Sequence, residues 1–313
     1  MNPFSLVFPV TLFLVVTLNS QDATIKGTNF PVRDFFITND SIFLIKERHL
    51  AVLDKENKLK DLHFIGGYGM KIYDLADNTI LTVSNELRRD VSSVRFYEKA
   101  SQTINDVYYY KEGNFLDFVL VPKDSMFLFS TRRKKIVGVH YNNRPAFKKR
   151  IDFELGSFSR KIKYENGILY CVTDNGELFQ YVIASNRLQM LFKTNGILTD
   201  FQHDDGVFYI SNIEGKVIKH NIRTKVTVEL LTLKNDFVTT SLLDNGNLII
   251  GTWEGAIYYL SPDNPEPQKK RKIHKKAIYR IVRLNEFFYS SSLDKTLKKW
   301  TMENHTVLDS AGN

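Results

Sequence analysis

Residues 240–252 read TSLLDNGNLIIGT: a β-rich run, a polar turn, and a second β-rich run. The copy before it is TDFQHDDGVFYIS (199–211) and the copy after it is RIVRLNEFFYSSS (280–292). Four earlier copies read DFFITNDSIFLI (34–45), YDLADNTILTVS (73–84), FVLVPKDSMFLFST (118–131) and IKYENGILYCVT (162–173). Their turns centre on Asp40, Asp77, Asp124, Asn166, Asp205, Asn245 and Asn285, at spacings of 37, 47, 42, 39, 40 and 40 residues. Asn, Asp and Gly tolerate the positive φ that tight hairpin loops require. The flanking Ile, Val, Phe, Tyr and Leu suit buried strands.

A third strand follows each pair. Its end falls at Leu53, Tyr97, Val139, Tyr181, His220, Leu260 and Trp300, the last five separated by 42, 39, 40 and 40 residues. Repeats of about 40 residues with several strands each are propeller blades. Helix-period windows of comparable length are absent, and a β-sandwich would not explain so regular a period. The expected fold is all-β, a single seven-bladed β-propeller of four-stranded blades over residues 23–313. Residues 23–28 or 305–310 could supply the outer strand of blade 7.

The last repeat carries a family resemblance. Residues 274–300 read HKKAIYRIVRLNEFFYSSSLDKTLKKW. With His274, Ser292-x-Asp294 and Trp300 so spaced, the segment resembles a WD repeat. The resemblance implies that these four side chains form one hydrogen-bonded network. Elsewhere the motif decays: Thr252-x-Glu254 leads to Leu260, Asn212-x-Glu214 to His220, and Thr173-x-Asn175 to Tyr181. The closing dipeptide is Trp300-Thr301, not Trp-Asp, and Leu53-Asp54 alone keeps the Asp. The chain is thus similar to a degenerate WD-repeat propeller. The Trp-Asp-x-Arg box of ubiquitin-ligase receptors is unmatched. What the resemblance implies is a rigid platform for a protein or other macromolecular partner; the propeller itself is expected to be monomeric.

Composition excludes several chemistries. The 313 residues include 43 Lys+Arg, 35 Asp+Glu, 43% hydrophobic residues and one cysteine, Cys171. One Cys excludes an internal disulfide, zinc fingers, CxxC redox chemistry and Fe–S sites. No HExxH, GxSxG, P-loop or GxGxxG occurs, and residues 66–69 are only a glycine-rich turn. Cys171 lies in a β-rich run and reads as a small buried hydrophobe. No cofactor and no catalysis are expected. A propeller hydrolase or lactonase, assembling channel residues distant in sequence, is the least favoured alternative.

No charged side chain precedes Asp22, and residues 6–18 form an apolar run too short for a membrane span. Residues 1–22 therefore read as a signal peptide, with cleavage near Ser20 or Ala23. Against this, Pro9 interrupts the run and no Lys or Arg precedes it. The alternative is an edge strand and an intracellular scaffold, cytoplasmic or nuclear, belonging to a multiprotein complex. No later stretch qualifies as a transmembrane segment. In a secreted or lumenal protein, Asn39 and Asn304 would be N-glycosylation acceptors.

The net charge of +8 is clustered: six of the eight residues 269–276 are Lys or Arg. Lys269, Lys270, Arg271 and Lys272 head this run. Arg132, Arg133, Lys134 and Lys135 occupy the loop between the second and third strands of blade 3; Arg88 and Arg89 occupy that loop in blade 2, and Arg48 that in blade 1. Loops entering a blade open on the same face as these. The expectation is one positive mouth, with Trp253 as an aromatic anchor, engaging an acidic protein surface, an anionic glycan or a lipid headgroup.

Overall fold

The computed structural model describes residues 23–25, 30–75, 77–261 and 269–301. They form seven four-stranded antiparallel sheets arranged as the blades of a ring. Six sheets are built from consecutive strands. Blade 7 takes Ile278–Leu284, Phe287–Ser292 and Leu297–Trp300 from one end of the chain and its outer strand, Ala23–Ile25, from the other. That strand pairs Ala23 with Lys299 and Ile25 with Leu297, so the ring is closed from the N-terminal side. Residues 1–22 and 305–310 lie outside the described residues.

The first strands pack against one another around the axis. They are Val32–Ile37, Tyr68–Leu75, Phe115–Val121, Ser159–Glu165, Leu198–Asp204, Val238–Asp244 and Ile278–Leu284. Fourth strands lie at the rim and carry charged or exposed residues, as in Leu59–Phe64 and Arg187–Lys193. Edge strands that carry charge resist pairing with other chains.

The sequence logic holds locally. Asn166, Asp205, Asn245 and Asn285 adopt positive φ at their hairpins. In blades 2 and 3 the left-handed residue comes one place later, at Asn78 and Ser125. In blade 1 the Thr38 hydroxyl instead accepts the Ser41 N–H at 3.0 Å. The third-strand landmarks face equivalent second-strand residues: Ile80 opposite Tyr97, Leu169 opposite Tyr181, Phe288 opposite Trp300.

Between blades the core is a series of separate clusters. The blade 2–blade 3 cluster absorbs Phe96, Phe115, Phe118, Phe127 and Phe129, all nearly solvent-free. Phe115 and Phe129 rings lie 4.3 Å apart. Truncating such a ring to Ala typically costs about 3–5 kcal/mol. Cys171 is buried in the next cluster, and burial pushes its thiol up to about 12. It is a packing residue there, not a nucleophile at neutral pH.

Candidate interaction face

The loops between second and third strands and the loops between blades share one end of the ring. Backbone hydrogen bonds interlock them: Trp253 N–H donates to Phe237 O at 2.9 Å, and Ile273 N–H to Gly255 O at 3.2 Å. Gly255 has φ +82, and a Cβ there would lie 2.4 Å from the His274 carbonyl oxygen. Only glycine fits that turn.

Several exposed apolar side chains belong to this face, Phe30 in the loop before blade 1 among them. Leu87, Ile213 and Trp253 each follow the second strand of their blade, and Phe158 lies in the loop between blades 3 and 4. Trp253 is 46% exposed and stacks on Phe237 at 5.4 Å. It therefore packs on the loop entering its own blade and keeps one side open.

The charge pattern differs from the expected uniform mouth. Arg88, Arg89, Arg132, Arg133 and Lys134 are exposed on blades 2 and 3. Arg133 pairs with Asp90 at 3.2 Å, Arg89 with Glu86 at 3.6 Å, and Lys135 with Glu112 at 3.1 Å. In blades 4, 5 and 6 the corresponding turns hold Asp174, Glu214 and Glu254. The turns are thus basic in blades 2 and 3 and acidic in blades 4 to 6, while exposed Lys275 and Lys276 stand in the loop entering blade 7. Lys269, Lys270, Arg271 and Lys272 are not in a loop at all. They form the outer strand of blade 6, pairing with the third strand Ala256–Leu260, because an edge strand accommodates a charged run. Their strand lies at the rim, and at its end Lys272 reaches the blade 6 turn, donating to the Glu254 carbonyl. Asn39 is exposed at a hairpin on the opposite face, and Asn304 lies outside the described residues.

The four-residue network of blade 7 forms with one exchange. Buried His274 has Nδ1 3.1 Å from Asp294 Oδ2 and Nε2 2.8 Å from Ser290 Oγ. Trp300 Nε1–H donates to Ser290 Oγ at 3.1 Å. Ser290, not Ser292, is thus the serine of the relay: both lie on one face of the strand, but Ser290 is the one within hydrogen-bond distance of both His274 and Trp300. Ser292 instead accepts the Asp294 N–H at 3.0 Å and donates to Lys276 O. Burial opposes ionisation of Asp294. Hydrogen bonds from His274, Thr296 and the Lys275 N–H override it and hold the carboxyl far below its ordinary value. A depressed carboxyl stabilises the fold above its unfolded value of 3.8, and that contribution is lost as pH falls through the folded value. Asp294→Asn should therefore lose stability at pH 7 and flatten the decline below pH 4, measured by urea unfolding across pH.

Sequence reasoning missed a second feature, around the axis. Each first strand has a one-residue register shift near its start. The residues just after it are Asp34, Lys71, Asp117, Lys161, Asp200, Thr240 and Arg280. Signs alternate around the ring. Seven is odd, so alternation cannot close, and neutral Thr240 sits where like charges would have met.

This belt bonds every blade interface. Arg280 pairs with Asp34, whose Oδ2 accepts the Ile72 N–H at 2.9 Å. Lys71 lies 3.4 Å from Asp117, whose Oδ2 accepts the Ile162 N–H at 3.0 Å. Lys161 lies 3.7 Å from Asp200, whose Oδ2 accepts the Ser241 hydroxyl at 2.6 Å. The Thr239 hydroxyl donates to Ile278 O at 2.6 Å, completing the circuit. Burial opposes the charge on Asp117, but Lys71, Lys161 and two backbone N–H groups hold its carboxyl below the usual range. The spacing signal was in the sequence, but the strand register that selects these positions was not.

No family model matches the sequence, and no curated protein does either. Among solved structures, the chain is similar to the crystal structure of the computationally designed Ika8 protein, with a TM-score of 0.65 and 11% identity. The similarity covers 89% of this chain and 98% of that one. At that identity the likeness concerns the fold. The class it defines is the β-propeller, and this chain is a seven-bladed one.

Proposed function

We propose that this chain is a divergent WD-repeat-type propeller that serves as a non-catalytic, monomeric scaffold in the secretory pathway. It binds a protein partner through the face formed by the second-to-third-strand turns. The observation that carries this reading is the set of exposed apolar side chains Leu87, Phe158, Ile213 and Trp253 on one interlocked face. Exposed aromatic and aliphatic anchors flanked by arginine are what protein interfaces enrich. The His274, Asp294, Ser290 and Trp300 circuit supports the WD-repeat reading. It also occupies the histidine that a general base would need free.

Two features support the secretory part. The ring-closing strand starts at Ala23, so removal of residues 1–22 leaves it whole. Asn39 lies on the opposite face, where a glycan would leave the interaction face clear. Among the described residues, no helix is long and apolar enough to cross a membrane.

Two measurements test the reading. Sequencing of the mature protein should find an N-terminus between Ser20 and Ala23, and an intact Met1 would contradict secretion. Affinity purification from the producing cells should recover a partner with the wild type and lose most of it with Leu87→Ser/Trp253→Ser. Anchors of this kind cost about 2 kcal/mol or more each when truncated. Equal recovery by both would remove the proposed face.

A further inference from the structure

The axial belt leaves one positive charge unmatched. Arg280, Lys71 and Lys161 neutralise Asp34, Asp117 and Asp200 in pairs. Lys163 lies two residues beyond Lys161 on the same side of the same strand. Residues at its level on the other first strands are Phe36, Tyr73, Val119, Gln202, Leu242 and Val282, none of them acidic. Among the described residues no carboxylate reaches Lys163 at ion-pair distance. Its ammonium lies 5.3 Å from the centroid of the Phe201 ring.

Exposure separates the two signs. The side chains of Lys71, Lys161 and Arg280 are 26%, 20% and 33% exposed, whereas Asp117, Asp200 and Asp34 are 6%, 1% and 2% exposed. The carboxylates sit behind, taken up by backbone and side-chain donors of adjacent blades except at Asp200 Oδ1, which has only Lys161 at 3.7 Å. The ammonium and guanidinium groups are the more accessible member of each pair on the strands around the axis. A solute in the channel therefore meets cations in a partly dry, protein-walled space, where charge–charge attraction exceeds its value in water.

We infer that the axial channel binds an oxyanion, with Lys163 as its principal ligand and Lys161 and Lys71 completing the positive wall. The bond is a charge-assisted N–H···O contact to phosphate, sulfate or carboxylate oxygen. It gives Lys163 the partner that the fold withholds. This site is separate from the loop-face anchors, so either can fail without the other.

Titration gives a signature that a purely structural lysine would lack. Burial, then the like charges of Lys161 and Lys71, hold Lys163 at about 8, with Asp200 and Asp117 pulling the other way. An anion favours the charged form and raises that value. Binding near pH 8 to 9 must then take up a proton, and affinity must fall as pH climbs above 8.

The test is isothermal titration of the full mature protein with inorganic phosphate at pH 6.5 and 8.5, in buffers of different ionisation enthalpy. Sulfate and acetate serve as parallel probes. Expected are saturable binding, net proton uptake at pH 8.5, and about ten- to hundredfold loss in Lys163→Met. Lys163→Arg should retain binding and lose the pH dependence. The Lys163→Met protein should be at least as stable as wild type at pH 7, because an unpaired buried charge is removed. Acetate binding equal to phosphate with the same dependence on Lys163 would point to a carboxylate side chain as the natural source. Absence of saturable binding by all three probes, or binding unchanged in Lys163→Met, would overturn the inference.

Discussion

Replacing Asp117 with Ala should lower the unfolding free energy by about 3–5 kcal/mol, the usual cost of removing one partner from a buried ion pair. The Ala variant leaves Lys71 without the carboxylate 3.4 Å away and the buried Ile162 N–H without its acceptor. Two blade interfaces, 2–3 and 3–4, loosen together. Asp117→Asn should cost less, because the amide oxygen can still accept from Ile162, although Lys71 stays unpaired. The contrast belongs to a chemical denaturation series with Thr240→Val as the control at the neutral place in the belt, where the expected change is below about 1 kcal/mol. An Asp117→Ala effect as small as the control would mean that packing alone holds the blades.

Removing residues 1–29 should have an effect of similar size through a different cause. Without Ala23–Ile25, Leu297–Trp300 becomes an unpaired edge. Leu297 and Trp300 are now almost fully buried. An open ring with a bare edge self-associates, since an unpaired strand templates pairing with another chain. The truncated protein should show a lowered thermal midpoint and a concentration-dependent mass by light scattering. A monodisperse monomer with the wild-type midpoint would show that the N-terminal strand is dispensable for closure.

What could be read from the sequence depended on how local the physics is. Hairpins were legible because Asn166, Asp205, Asn245 and Asn285 meet a backbone demand at their own positions. Trp300, His274 and Asp294 were legible because a buried polar circuit needs those residue types together. Ser290 was not told apart from Ser292, since the two share one face of the strand and only the folded blade says which lies level with His274. The axial belt was hidden for the same reason. A one-residue bulge in each first strand decides that Lys161, not Arg160, joins the ring. The run beginning at Lys269 misled because charge density was taken as a loop signal. At the rim of a blade a lysine-rich strand is a sound solution, held by its pairing with Ala256–Leu260 and guarded by its charge.

The interaction face itself is only partly a charge feature. Its exposed cations on blades 2 and 3 have acidic neighbours, and surface pairs of this kind contribute about 0–1 kcal/mol each. In the proposed function, anchoring therefore falls to Trp253, Ile213, Leu87 and Phe158, with Arg88, Arg132 and Lys134 steering approach.

Hydrogen exchange of the recovered complex decides most directly whether the loop face is the functional surface. The account predicts slowed exchange at residues 87–90, 132–134, 213–215 and 253–255 on binding, with the hairpins at Asp124, Asn166 and Asn245 unchanged. Protection confined to those hairpins or to the rim strand Lys269–Lys272, with the turns unaffected, would contradict it.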